Sequence, residues 1–237
     1  MVFSLSGYYQ IPSRSKATEA IYPMQHVGLS MKLGIIACDI LKPEIEFLTK
    51  DDPDFVVREY LEFALHENPP RMREVIIETV NKYEGQLDVV FLGYATCQSL
   101  DGVIDEFKVP AVMLKGADCI EVLLTTQEYN AEKRKCAGTW FSSPGWALEG
   151  THGLIKEMHL DSVEGVDPQF FLDILFDSYQ RCLFIDDGIG NEDLYEQKSK
   201  EMADQLKLKH ECRKCGLEGL TVKIEETKEL ARKLLAE

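Results

Sequence analysis

The chain has 237 residues with 41 acidic and 26 basic side chains, a net charge of −15, so no basic surface is available to release counterions from nucleic-acid phosphates. With 45% hydrophobic and 28% charged residues it reads as a soluble globular protein, and no apolar run approaches the roughly 20 residues that span a bilayer. Seven cysteines, an odd number, do not make a secreted disulfide framework and point to reduced thiols in the cytoplasm.

Residues 1–31 are rich in Ser, Gly and Pro, lack periodicity, and read as an accessory arm, partly mobile, ahead of a single domain at 32–237. From Lys32 the pattern alternates. "KLGIIA" is a buried strand, "KPEIEFLTK" a short helix with Pro43 in its first turn, and residues 55–65 a further strand. "NPPRMREVIIETVNKYEG" is the clearest helix, with Met72, Val75, Ile76 and Val80 at helical spacing and Gly85 as its stop. "LDVVFLGY" is a strand, "SLDGVIDEF" a helix, "VPAVML" a strand. Asp118 then caps one helix running to Lys135. "CAGTWFSS", "DPQFFLDILFDSYQ", "RCLFIDDG" and "EDLYEQKSKEMADQLKL" continue as strand, helix, strand, helix, with a short strand near "LEGLTVKI" and a closing helix. This alternation implies an α/β fold: a mainly parallel open sheet with helices on both faces. It allows two similar α/β lobes meeting near 134–150, with "SSPGWALEG" as the connection.

In an open parallel sheet, ligands bind outside the carboxyl ends of the strands. Cys38, Cys97 and Cys119 each come just after a strand, as does His66, so one edge receives three thiols and an imidazole. That soft donor set suits zinc or an iron–sulfur cluster. Glu67 and Asp118 are placed to orient those ligands or to act as bases. Tyr94 and Trp146 belong to the same pocket. Taken singly, each cysteine is a small core hydrophobe more readily than a ligand; the joint placement is what argues for a site. A weaker metal or redox candidate is "HECRKCGLEG", with Cys212 and Cys215 as a Cys-x-x-Cys pair beside His210. Its bland alternative is a reduced, exposed turn. Cys136 and Cys182 open strands and read as core. Trp140 and Trp146 flank a Pro-Gly turn and either wall a flat ligand or close the core. The glycines of "DDGIGNED" make a tight turn, not a phosphate loop. No Asp-x-His-x-x-Gly corrinoid signature and no serine–histidine–acid set is present.

The stretches "IIACDIL", "LEFALHENP", "FLGYATCQSL", "GADCIEVLL" and "GTWFSSPGW" resemble, in that order, an archaeal and bacterial family known as domain of unknown function 1638. The resemblance covers residues 32 to about 190 and leaves the Cys212–Cys215 tail outside. Gln98 stands where a glycine is common, and Lys115 and Gly116 where an arginine-bearing loop is usual. The resemblance implies a setting beside corrinoid-dependent methyltransferases. The expectation is therefore a cytoplasmic metal- or iron–sulfur-binding protein of methyl-corrinoid one-carbon metabolism. Two alternatives stand beside it: an accessory protein docking to a methyltransferase or corrinoid protein, and a metal-free enzyme with Cys97 or Cys119 as nucleophile.

Overall fold

The computed structural model describes residues 30–95, 100–162, 164–190 and 192–237. The arm at 1–29 and Cys97 therefore lie outside the described residues. Four segments, apolar in all but the mixed second one, form β1 (Leu33–Cys38), β2 (Phe55–Leu61), β3 (Val89–Gly93) and β4 (Ala111–Met113). They make one parallel sheet in the order β2-β1-β3-β4. A second parallel sheet is β5 (Thr139–Ser142), β6 (Arg181–Asp186) and β7 (Lys209–Lys214), in that order.

Alternation along the strands sends side chains to two faces. Ile36, Val90 and Leu92 meet Met72, Ile76 and Val80 of α2 (Pro69–Asn81). Ile35 and Phe91 face the other way, into a cluster that runs on to Leu183 and Ile185 of the second sheet. α1 (Lys42–Thr49) adds Ile45 to this cluster. Asn68 caps α2 by accepting the Arg71 N–H at 3.2 Å, and Asp118 caps α3 (Cys119–Leu123). Among the described residues no helix is long and apolar enough to cross a membrane.

The elements depart from the sequence expectation at several places. The strand expected over 55–65 ends at Leu61, and the last strand is at Lys209–Lys214 rather than near "LEGLTVKI". The segment after Asp118 is two helices, because Leu124 and Thr125 are extended and Thr125 opens a capping box with Glu128 for α4 (Thr126–Lys135). "SSPGWALEG" is helical from Pro144, which starts α5 (Pro144–Glu157, kinked at Gly150), with Ser143 Oγ accepting the Trp146 N–H. "SLDGVIDEF" is broken by Gly102 at φ 68°, leaving a 3₁₀ turn at Val103–Glu106. "LEGLTVKI" is helical. Leu220, Ile224 and Ala231 recur at helical spacing in α8 (Glu218–Leu235) and bury one stripe. Cys136, expected in the core, is half-exposed where α4 ends; Cys182 is fully buried. α6 (Pro168–Leu175) precedes β6, and α7 (Glu192–Gln205) packs on β6 and β7.

Candidate functional site

Register brings the site together. Cys38 pairs with Leu61, and Ala37 with Gly93, so β1, β2 and β3 end level. The chain leaves all three strands at the same edge. After β2 it forms a 3₁₀ turn, Phe63–Glu67, carrying His66. After β3 it presents Tyr94, and beyond β4 the N-terminus of α3 with Cys119. A cavity of about 620 Å³ opens there and is lined by Cys38, His66, Tyr94 and Cys119. Trp140 of β5 and Trp146 of α5 close its far side. Trp146 meets Phe63 at 5.4 Å between ring centroids and Trp140 at 5.2 Å, both edge to face.

Two thiols share this cavity. Burial pushes the Cys38 thiol well up, and neighbouring Cys119 adds to that shift because each thiolate opposes the other. Burial likewise pushes Cys119 up to about 12, assisted by Asp118 and opposed by the Trp146 side chain, which hydrogen-bonds the sulfur. Both are neutral thiols at physiological pH. His66 Nδ1 sits 2.6 Å from the Phe63 carbonyl and Nε2 2.5 Å from Glu157 Oε1. Both neighbours are acceptors, and the hydrogen bond to Glu157 raises the imidazole, against burial. Cys38 Sγ lies 3.8 Å from Asp39 Oδ1, and burial raises the Asp39 carboxyl to about 6.

Three of the four expected ligands, Cys38, His66 and Cys119, therefore line one cavity; the fourth, Cys97, lies outside the described residues. Among the described residues no three His, Cys, Asp or Glu groups are arranged to hold a metal ion. The pocket residues divide. Tyr94 and Trp146 line the cavity. Asp118 also lines it but is committed: Oδ1 accepts the Ile120 and Glu121 N–H groups at 3.0 and 2.8 Å, and Oδ2 takes the Tyr129 hydroxyl. It is a helix cap, not a free base. Glu67 is not among the lining residues and lies 3.8 Å from His159.

Sequence reasoning missed Glu157 and undervalued Trp140. Glu157 ends α5, 5% exposed, with Oε2 lacking a hydrogen-bond partner. The Trp140 Nε1–H and the Tyr94 hydroxyl are also buried without partners. No local pattern marks Glu157, because only the packing of α5 against the turn after β2 delivers it to His66.

The second candidate is dispersed over structural roles. His210 and Cys212 lie inside β7, not in a turn. His210 Nε2 is 3.2 Å from Ser199 Oγ of α7, and its ring stacks on Phe184. Cys212 is exposed, whereas Cys215 packs against the main core and is raised to about 12, first by burial and then by Asp187. Asp187 in turn is the neighbour of Glu44, a fully buried carboxyl of α1 whose two oxygens have no partner in hydrogen-bond geometry. Burial raises both acids, Asp187 to about 6.

A family model described as "Protein of unknown function (DUF1638)" matches residues 60–222. That span starts later than the stretch that carries the sequence resemblance and leaves Cys38 out. It includes His66, Cys97 and Cys119 and reaches through the Cys212–Cys215 tail. No curated protein and no solved structure matches the chain.

Proposed function

The chain belongs to the DUF1638 family, which is described only as proteins of unknown function, and from the cavity we propose that it is a metalloprotein whose buried thiols hold a thiophilic cation. Cys38 and Cys119 are the core of the donor set, completed by Cys97 and by His66 through Nε2. The observation that carries this reading is the pair of thiols on one cavity, both kept neutral by burial, with Cys119 adding to the shift at Cys38 and Asp118 to that at Cys119. A cation between them reverses that balance, because a coordinating thiol loses its proton outright.

The donors fit the group in part. Hydrogen bonding of Nδ1 to a backbone carbonyl is the arrangement that leaves Nε2 of a histidine to ligate, but Glu157 holds that nitrogen and has to give way. Zinc would supply Lewis-acid stabilisation of a thiolate, and an iron–sulfur cluster would supply an electron. This chain's own residues prepare the site. The Phe63 carbonyl orients the imidazole, the Trp146 side chain bonds the Cys119 sulfur, and the aromatic wall limits water. A metal-free nucleophile at Cys119 is disfavoured, since the thiolate and not the thiol attacks. A place in methyl-corrinoid one-carbon metabolism is proposed from the sequence resemblance alone.

Metal analysis of anaerobically purified protein, beside the Cys38→Ser, Cys97→Ser and Cys119→Ser variants, tests the proposal. Stoichiometric metal that falls in each variant supports it. Absence of metal, or content indifferent to all three changes, sinks it. A broad visible absorption band points to a cluster; a colourless sample excludes one and leaves the metal analysis to identify zinc.

A further inference from the structure

No metal donor comes from the corner of the cavity formed by Trp140, Trp146 and Phe63. We propose that this side binds an organic ammonium ion, with Glu157 as its counter-charge and Trp140, Trp146 and Phe63 as its walls. The inference deepens the reading of this cavity as a ligand site and does not depend on the metal. Its first support is charge. Among the described residues the lining contains no lysine or arginine, and its imidazole, His66, is already bound to Glu157. An anion entering here meets the carboxylates of Asp118 and Glu157, and no described residue of the lining offers it a free cation.

Its second support is an unmet bond. Glu157 Oε2 is buried and unpartnered, and a carboxylate oxygen removed from water calls for a donor or a positive charge. A purely apolar ligand would leave that requirement standing. The third is shape. The Trp140 and Trp146 rings meet at 78°, and Trp146 and Phe63 at 65°, so the rings form a corner. Aromatic faces attract cations through the ring quadrupole and form the known recognition surface for alkylated ammonium groups. The unpartnered Trp140 Nε1–H and Tyr94 hydroxyl further favour a cation that carries an oxygen. A cavity of about 620 Å³ leaves room for that oxygen-bearing arm.

Choline and its uncharged carbon isostere, 3,3-dimethylbutan-1-ol, have the same shape and differ in charge. Calorimetric titration of both into the full chain, with metal content measured on the same samples, tests the inference. Choline binds, and the isostere binds at least about tenfold more weakly. Glu157→Gln lowers choline affinity and spares the isostere, while Trp140→Leu weakens both. Equal binding of the two probes overturns the inference, as does no choline binding at millimolar concentration or choline affinity unchanged in Glu157→Gln. Should that variant not fold, the two probes on the unaltered protein decide alone. Failure of choline binding with metal present overturns this inference only; absent metal with choline bound overturns the metal reading only.

Discussion

Cys38 and Cys119 illustrate how one physical term, desolvation, sets chemistry residue by residue. Both thiols are held protonated by burial, so in metal-free protein they alkylate slowly. Iodoacetamide at pH 8, followed by peptide mass spectrometry, labels exposed Cys212 before either of them; early labelling of Cys119 contradicts this. His66 gives the opposite sign. Its bond to Glu157 raises its pKa in the folded state, so the stabilisation is complete below the ordinary histidine value. It is lost as pH rises through the folded value. The gap in melting temperature between the unaltered protein and His66→Ala is therefore largest near pH 6 and closes toward pH 9. An NMR titration of the imidazole in Glu157→Gln moves back toward the ordinary range. These residue types were legible as candidates. Their partners were not, since neither Glu157 nor the Phe63 carbonyl is marked by any spacing.

At the scale of elements, the cap at Asp118 was read from the sequence, whereas the one at Thr125 was hidden inside a longer expected helix. Asn68, Asp118 and Thr125 are helix caps because short polar side chains accept the first free N–H groups. Thr125→Ala, which removes one half of the capping box, costs about 1 kcal/mol in urea denaturation. α5 was misread because Pro144 and Gly145 look like a turn. Proline is favoured in a helix's first turn, where its missing N–H has no intrahelical partner to lose. Gly145 is there for space. A Cβ at that position would stand 1.9 Å from the Ile40 carbonyl oxygen, so α5 crosses the turn after β1 backbone to backbone. Gly145→Ala is expected to destabilise by about 1–3 kcal/mol or more and to disturb the cavity, which Cys38 and Trp146 share. The urea midpoint and metal content of that variant check both effects. In α8 the same competition ran the other way: Thr221 and Val222 favour strands, but a buried stripe at helical period outweighs local propensity.

At the scale of the whole molecule, Glu44 of α1 and Asp187 after β6 place two raised carboxyls where the segments carrying the two sheets meet. A buried acid with a raised folded value binds its proton more tightly folded than unfolded. Stability then falls as pH rises above the ordinary glutamate value. Glu44→Gln removes that dependence, so its melting temperature exceeds that of the unaltered protein at pH 8 and approaches it near pH 4. A melting series in which the two curves run parallel contradicts the assignment.

The parallel α/β class, most strands and the edge that receives Cys38, His66 and Cys119 were determined by the sequence alone. Hydrophobic period and helix caps are local signals, and parallel strands end on one side. Only the tertiary structure decided what surrounds those groups: the sharing of one cavity by two thiols, the commitment of Asp118 to a cap, the pairing of Glu157 with His66, and the Trp140–Trp146 corner. Such contacts join residues tens of positions apart. They depend on strand register and on how closely two backbones approach, quantities that no window of sequence contains.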